Sequence, residues 1–145
     1  MHILVLNGPN LNMLGIREPE KYGTQTYADL IALITAEAAK RGIHVDCRQS
    51  NHEGELVDWI QAAYGTADGI LINPGAYTHT SVALLDAVKA VGLPCVEVHI
   101  TDPDTREEFR RVSYIRQACI ATVKGKGLAG YVEGLNILID AINEK

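Results

Sequence analysis

A tyrosine and an arginine on one polar stretch of the chain could together form a general base. Tyr22 follows Arg17 by five residues, so a loop can bring the two side chains into contact. An unperturbed phenol has a pKa of about 10 and is a poor base at neutral pH. A guanidinium keeps its charge and favours the phenolate, which lowers the pKa of the phenol. The spacing indicates a candidate for proton abstraction; the alternative is two ordinary side chains that face solvent.

The stretch that carries this pair covers residues 7–23 and directly follows an apolar run at residues 3–6. It contains three asparagines, two prolines, and glycines near both ends. Loops longer than about a dozen residues in a compact domain are usually functional or disordered. We therefore predict that residues 9–23 form a lid over a pocket, with Gly15 and Gly23 as hinges. We also expect this arm to be too polar to join the core.

Composition narrows the class of protein. A chain of 145 residues fits a single domain that buries roughly two-thirds of its unfolded surface. The net charge of −5 argues against a nucleic-acid partner. No apolar run approaches the roughly 20 residues that cross a bilayer, and the first residues are typical of a strand, not a signal peptide. The odd number and wide spacing of Cys47, Cys95 and Cys119 predict reduced core thiols in a cytoplasmic protein.

Strand-like and helix-like segments alternate along the chain. The predicted strands are residues 3–6, 43–48, 69–72, 95–98 and 119–123, and the predicted helices are residues 27–40, 55–64, 81–91 and 128–142. Thr26 and Asp29 have the spacing of a capping box, and Gly42 marks the end of that helix. Alternation of this kind predicts right-handed crossovers and a parallel sheet covered on both faces. We expect one α/β domain over residues 1–145, a flavodoxin-like three-layer sandwich with five parallel strands in the order 2-1-3-4-5.

Polar residues follow each of the first four predicted strands. They are Asn7 and Asn10, then residues 50–53, then residues 73–80, then Glu97 and His99. The carboxyl ends of parallel strands meet at one edge of the sheet, where ligands bind. Because Glu97 and His99 alternate along a strand, they share one side of it, and the carboxylate can orient the imidazole. The sequence therefore predicts a polar site at this edge.

Two other patterns have plainer interpretations. Residues 106–111 are rich in arginine and glutamate and are typical of a solvated helix face. Arg106 and Arg110 are a like-charged i, i+4 pair there, which favours one of them facing an anion or a diol. The glycines at 125, 127 and 130 resemble a phosphate loop but lack its Lys-Ser/Thr signature, so we predict a bend into the last helix.

The order of the polar motifs carries a specific resemblance. The motifs are Asn-Gly-Pro-Asn-Leu-Asn-x-Leu-Gly-x-Arg-Glu-Pro-x-x-Tyr-Gly at 7–23, Gln-Ser-Asn-His-Glu-Gly at 49–54, Ile-Asn-Pro-Gly-Ala-Tyr-Thr-His-Thr-Ser at 72–81, Glu-Val-His at 97–99 and Arg-Glu-Glu-Phe-Arg at 106–110. Over essentially all 145 residues the chain closely resembles type II 3-dehydroquinate dehydratases. The resemblance implies a flavodoxin-like subunit, no cofactor, and a homododecamer built as a tetramer of trimers.

The resemblance also implies a reaction and its residues. The reaction is anti elimination of water from 3-dehydroquinate to 3-dehydroshikimate through an enolate, a hydro-lyase step in the shikimate pathway of aromatic amino-acid biosynthesis; quinate breakdown uses the same step. The implied catalytic residues are Tyr22 as base, Arg17 beside it, Asn10 holding a water against the enolate oxygen, His99 as acid and Glu97 orienting His99. The implied substrate-binding residues are Asn73, His79, Arg110, the backbone N–H groups of Ile100 and Thr101, and Asp86 reaching a neighbouring subunit's site.

The chain departs from the family pattern at four places. The family usually has Ser-Asn where this chain has Thr101-Asp102. Threonine keeps the hydroxyl, but the added charge of Asp102 near an anion site predicts weaker substrate binding. Gln61 and Arg111 stand where histidine is common, and Ala121 where glycine is common. None of these changes removes a catalytic group.

Four alternatives to this family agree less well with the sequence. A receiver domain needs carboxylates at the first and third strand ends to hold magnesium, but Asn7 and Asn73 stand there. Zinc is not expected, since the three histidines of this edge lack tight ligand spacing and a thiolate. A hydrolase built on Ser81 and His79 would lack a nucleophile elbow. An FMN-binding module would need a Ser/Thr-rich loop after the first strand, and it stays the non-enzymatic alternative.

Overall fold

The computed structural model describes residues 1–16 and 18–145, apart from the side chains of Lys21 and Tyr22. The strands are β1 (His2–Asn7), β2 (His44–Gln49), β3 (Gly69–Asn73), β4 (Cys95–His99) and β5 (Ala121–Lys124). The helices are α1 (Pro19–Tyr22), α2 (Tyr27–Arg41), α3 (Glu53–Ala62), α4 (Val82–Val91) and α5 (Ala129–Asn143). Short 3₁₀ turns join several of them.

The five strands form one parallel sheet in the order β2-β1-β3-β4-β5, as the sequence predicts. The register places Asn7 beside Asn73 at the carboxyl ends of β1 and β3. Between β4 and β5 the register pairs Glu97 with Thr122 and His99 with Lys124. The polar strand ends therefore meet at one edge.

The core has two parts, one on each face of the sheet. On one face α2 and α5 pack against the strands, and fully buried side chains such as Leu30, Ile34 and Leu135 fill the space. On the other face α3 and α4 bury Leu56, Ile60 and Leu84. The three layers of the predicted sandwich are thus confirmed. Among the described residues, no helix is long and apolar enough to cross a membrane.

Helix ends follow the predicted chemistry at α2 and depart from it at α3. The Thr26 hydroxyl accepts from the Asp29 N–H at 3.1 Å, and the Asp29 carboxylate accepts from the Thr26 N–H at 2.9 Å. This capping box provides hydrogen-bond acceptors for two backbone N–H groups that have no partner within the helix. Helix α3 begins at Glu53, two residues before the prediction, because its first turn takes two acidic residues that favour a helix N-terminus.

The last strand begins later than predicted. Cys119 closes the 3₁₀ turn Ile115–Ala118 instead of starting β5, since its N–H donates to the Arg116 carbonyl. Its sulfur lies 3.7 Å from that of Cys95, so two thiols that are distant in sequence are in contact, and all three cysteines are free thiols. The hydrogen bond to Cys119 and burial raise the pKa of the Cys95 thiol well above its ordinary value.

The arm after β1 joins the core, which corrects the expectation that it is too polar. Leu11 and Leu14 are buried and pack in the same cluster as α2 and α5. They are three residues apart on a 3₁₀ turn and its cap, so both side chains point the same way. Asn10 and Asn12, on the same stretch, are exposed. Gly15 and Gly23 both have positive φ, at 87° and 78°.

Two glycines let the loops after β1 and β3 approach backbone to backbone. A Cβ on Gly8 would lie 2.3 Å from the Pro74 carbonyl oxygen, and one on Gly75 would lie 2.9 Å from the Pro9 carbonyl oxygen. Real Cβ atoms do not come so near to backbone atoms, so neither position accepts a side chain without a shift of the loops. This contact holds the start of the arm against the β3 loop.

Candidate active site

A pocket opens at the carboxyl edge of the sheet, where the arm leaves β1. The residues that line it are Asn10, Leu11, Asn73, Gly75, Ala76, His79, His99, Ile100, Thr101, Pro103, Arg106 and Arg110. Seven of the residues that the resemblance singles out are in that set. A second concavity shares Ile100 and Thr101 with it and extends toward Gly23 and Gln25.

Four of the candidate residues are not among the residues that line this pocket, and one of them, Glu97, contacts it through His99. Arg17 lies outside the described residues, and so does the side chain of Tyr22. The backbone of Tyr22 ends helix α1, and its neighbour Gly23 lines the adjoining concavity. Asp86 is exposed on α4 and does not line the pocket of its own chain.

Glu97 and His99 form the most constrained pair of the site. Both point to the same side of β4, as the alternation predicts, and Nε2 of His99 lies 2.5 Å from Oε2 of Glu97. Glu97 is fully buried and His99 is 8% exposed. A carboxylate only accepts hydrogen bonds, so the proton of this contact belongs to Nε2. Nδ1 is then the ring nitrogen that can act on a bound molecule.

The Glu97 carboxylate stays ionised although it is buried. Burial alone would raise its pKa, but the hydrogen bond and charge of His99, together with Ser113 and Arg116, lower the pKa to about 2. The Ser113 hydroxyl donates to Oε2 at 2.8 Å, and Arg116 Nε donates to Oε1 at 3.1 Å. The Thr122 hydroxyl also donates to Oε1, at 3.0 Å. Both oxygens therefore have two partners.

The lowered pKa of Glu97 predicts a change in stability at acid pH. The folded-state pKa of about 2 lies below the ordinary value of 4.5, so Glu97 stabilises the fold above pH 4.5 and this contribution is lost as pH falls toward 2. The difference corresponds to about 3 kcal/mol. In urea unfolding at a series of pH values, Glu97→Gln should lose most of the wild-type slope in this window. Glu55→Gln, which alters an exposed carboxylate, should keep it; equal slopes in wild type and Glu97→Gln would contradict the assignment.

His79 is fixed by a backbone contact at the other side of the pocket. Its Nδ1 lies 2.7 Å from the Val112 carbonyl oxygen, so Nδ1 carries a proton and donates it. Burial lowers the pKa of His79, and the positive charges of Arg110 and Arg106 act in the same direction, against the Val112 hydrogen bond. The neutral ring keeps Nε2 as an acceptor for a hydroxyl group.

A buried polar network lies beneath the pocket, and its central residue, Tyr131, was not predicted from any sequence pattern. The fully buried Tyr131 of α5 donates its hydroxyl proton to Asn7 Oδ1 at 2.6 Å and accepts from Asn73 Nδ2 at 2.9 Å. Asn73 Oδ1 accepts from the Gly75 N–H at 3.0 Å. Burial raises the pKa of the Tyr131 phenol, so this hydroxyl stays protonated. Asn73 is held rigidly by these contacts, with one amide N–H left for the pocket.

The arginine-rich segment after β4 is not the solvated helix face that its composition predicts. It contains the 3₁₀ turn Glu108–Arg111. Another 3₁₀ turn, Pro103–Thr105, directly precedes the segment, and Pro103 and the Asp102 cap favour the start of that turn. Arg110 Nε donates to Glu107 Oε2 at 2.6 Å, an i, i+3 pair that suits a 3₁₀ turn. Arg106 and Arg110 both line the pocket. Of the two, sequence reasoning assigned a binding role only to Arg110.

The charge of Asp102 has a nearby counter-ion. Lys124 Nζ lies 3.5 Å from Asp102 Oδ1 and also donates to Asp104 Oδ2. This contact arises because β5 places Lys124 beside His99, two residues before Thr101. The negative charge that the sequence adds next to the pocket is therefore offset in the fold. Asp102 also caps the 3₁₀ turn through the Asp104 N–H.

The described residues contain no cluster of three histidine, cysteine or acidic side chains suited to a metal ion. What the pocket does contain is an oriented imidazole, two guanidinium groups, amides and backbone N–H groups. Such groups can bind a carboxylate and hydroxyls and can transfer a proton.

Comparison with known proteins gives the family. A model of the family described as dehydroquinase class II matches residues 1–139. A 3-dehydroquinate dehydratase of Corynebacterium glutamicum is 60% identical over 136 residues, 94% of each chain. One from Clostridium acetobutylicum is 53% identical over 99% of this chain and 100% of the relative. The crystal structure of a type II dehydroquinase from Butyrivibrio crossotus superposes with a TM-score of 0.94 at 48% identity, covering 96% of this chain and 97% of the other. The chain belongs to the class II dehydroquinase family.

Proposed function

We propose that the protein is a 3-dehydroquinate dehydratase of the shikimate pathway, which removes water from 3-dehydroquinate to give 3-dehydroshikimate. Family membership and the names of its relatives support this activity. The observation that carries it is the buried Glu97–His99 pair, in which His99 lines the pocket together with Arg106 and Arg110. The reaction removes a proton beside a ketone and a hydroxyl from the next carbon. It needs a base, a stabiliser for the enolate oxygen and an acid.

In this proposal Tyr22 is the base. Its phenolate, favoured by the neighbouring charge of Arg17, takes the proton beside the ketone, and the released electron pair moves onto the carbonyl oxygen. Asn10 holds a water that donates to this enolate oxygen. Gly23, next to Tyr22, lines the concavity that continues the pocket past Ile100 and Thr101, which supports bringing Tyr22 over the substrate.

His99 is the acid in the second half of the reaction. The enolate re-forms the ketone, its electron pair makes the new double bond, and the C–O bond to the hydroxyl breaks. The departing oxygen takes the proton from Nδ1 of the cationic His99 ring and leaves as water. Tyr22 is now protonated and His99 neutral, so a proton returns from one to the other through solvent. Glu97 orients the ring through Nε2 and supports its positive charge.

The remaining candidate residues bind the substrate. The backbone N–H groups of Ile100 and Thr101 take its carboxylate, and Asn73, His79 and Arg110 take its hydroxyls. All five line the one pocket, which supports this assignment. Arg106 lines it as well and adds a positive charge that suits an anionic substrate.

Because Lys124 offsets the negative charge of Asp102, its loss should change the affinity for the substrate. In Lys124→Met, Asp102 and Asp104 lose their counter-ion next to the carboxylate site, so we expect KM to rise about three- to tenfold with kcat within about twofold. Because the effect is electrostatic, it should shrink as salt is added. Steady-state kinetics at low and high ionic strength measure both changes.

Lys126→Met is the matched control, since Lys126 pairs with Glu133 on α5. It should leave KM unchanged at both salt concentrations. A Lys124→Met enzyme with normal KM at low salt would show that Asp102 does not act on the substrate.

We also propose the assembly, location and lid that the resemblance implies. The protein is a cytoplasmic homododecamer of four trimers, in which the exposed Asp86 of one subunit reaches the site of a neighbour. Residues 1–145 form a single catalytic domain that needs no cofactor, and residues 9–23 act as its lid. Positive φ at Gly15 and Gly23 supports bending at the two predicted hinges.

The direct test is to add 3-dehydroquinate to the purified protein and follow the ultraviolet absorbance of the conjugated enone product. The proposal predicts steady growth of this absorbance at a rate proportional to protein concentration. No product from well-folded protein at millimolar substrate would overturn the proposed function.

A further inference from the structure

Arg116 is the second positive group on the Glu97 carboxylate, and nothing in the proposed reaction uses it. The carboxylate divides its contacts between its two oxygens. Oε2 faces His99 and Ser113, whereas Oε1 accepts from Arg116 Nε at 3.1 Å and from Thr122 at 3.0 Å. Within the described part of the chain, His99 and Arg116 are the ion-pair partners of Glu97.

The fold anchors Arg116 for this contact. It lies on the 3₁₀ turn Ile115–Ala118, where the adjacent Ile115 is 1% exposed and packs in the core. The Arg116 side chain remains 35% exposed, so it reaches the fully buried Glu97 from the solvent side. Thr122 lies opposite Glu97 on β5, and its hydroxyl is the second hydrogen-bond donor to Oε1.

A charge in this position acts on His99 through Glu97. A buried carboxylate with a single cationic partner would hold the proton of that partner strongly, because Coulomb interactions are strong where water is excluded. A guanidinium on the opposite oxygen offsets part of the negative charge. It also fixes the plane of the carboxylate, so that Oε2 meets Nε2 of the ring.

We propose that Arg116 is a positioning residue that sets how firmly the Glu97–His99 pair holds its proton. Within the proposed dehydratase reaction, on which its kinetic consequence rests, it keeps His99 a strong enough acid to protonate the leaving hydroxyl. An acid works best when it holds its proton neither too firmly nor too loosely at the working pH. Arg116 therefore tunes the step without touching the substrate.

Other charged groups also face the pair, and the test must separate their effects. By element they are Lys124 on β5 with Asp102 and Asp104, His79 after β3, and Arg106 and Arg110 after β4. Each of these is retained when Arg116 alone is changed. A difference between Arg116 variants is thus assigned to Arg116.

The experiment compares Arg116→Met and Arg116→Lys with wild type by two readouts. The first is the pH–rate profile of kcat. The second, which needs no substrate, follows the ring signals of His99 by NMR in histidine-labelled protein across pH, with His99→Ala identifying the signal. Arg116→Met removes a positive charge, so both pH midpoints should move upward by about one unit. Its kcat near neutral pH should fall about three- to tenfold with KM within about twofold.

Arg116→Lys keeps the charge and should restore most of the wild-type midpoints. Arg41→Met is the matched control, because Arg41 pairs with Asp140 and Asn136 between α2 and α5; it should move neither readout. If Arg116→Met folds poorly, Arg116→Gln replaces it and keeps a hydrogen-bond donor without the charge. An unmoved NMR midpoint in the neutral variant, even with lowered thermal stability, overturns the proposal. Absent turnover in wild type would instead overturn the proposed function, while the NMR result still decides the role of Arg116.

Discussion

Tyr22→Phe is expected to lower kcat on the order of a thousandfold while KM changes only a few-fold. The substitution removes the oxygen that takes the proton and leaves the ring in place. General acid–base groups contribute roughly a hundred- to ten-thousandfold to turnover. Because the phenol acts on the reacting carbon, not on the carboxylate or hydroxyls, substrate binding should persist. Enone formation gives kcat, and calorimetry with the inactive variant gives the dissociation constant.

Tyr64→Phe is the matched control for this loss of a hydroxyl group. Tyr64 is 72% exposed after α3, and this variant should turn over like wild type. Near-normal turnover by Tyr22→Phe would remove Tyr22 from the role of base. Loss of binding along with turnover would mean that the hydroxyl serves substrate recognition instead.

His99→Ala is expected to cost at least about a hundredfold in kcat. The structure gives this expectation its physical basis, since Nε2 is held at 2.5 Å from a fully buried carboxylate and only Nδ1 remains for the substrate. Without the ring, the hydroxyl must leave without a proton or take one from water. The loss should be smaller for a substrate analogue with a better leaving group, because such a group needs less protonation.

His44→Ala is the control for the loss of a histidine. His44 begins β2 at the opposite edge of the sheet and stacks against His2 at 4.7 Å. It should leave turnover within about twofold. His99 would not be the acid if His99→Ala retained more than a tenth of wild-type kcat. The same would follow if the loss of kcat were as large for the analogue with the better leaving group.

Local sequence patterns were enough to predict the sheet and the four helices that pack on it, whereas the short helix α1 (Pro19–Tyr22) was not predicted. The apolar runs of β1 and β3 and the capping box at Thr26 each determine structure over a few residues, and all are found as predicted. Errors arose where tertiary contacts compete with local preference. Leu11 and Leu14 belong to a polar arm by composition, yet the space beside α2 makes their burial favourable.

The candidate site was only partly predictable, for a similar reason. Alternation along one strand brings Glu97 and His99 together, so their contact could be predicted from the sequence. Arg116 and Lys124 approach β4 only through the register of β5 and the turn before it, and a linear pattern contains no such information. Tyr131 reaches Asn7 across 124 positions, and no local signal distinguishes it from an ordinary core tyrosine.

The most direct test of a phenolate base is an ultraviolet difference titration of tyrosinate, in which wild type is compared with Tyr22→Phe while the non-absorbing substrate analogue quinate is bound. Burial raises the pKa values of Tyr27 and Tyr131, so neither phenol ionises in the range of interest. We expect one tyrosinate in wild type that forms well below the ordinary phenol pKa of about 10 and is absent from the variant. Identical titration curves for the two proteins up to that pH would contradict a phenolate base at Tyr22.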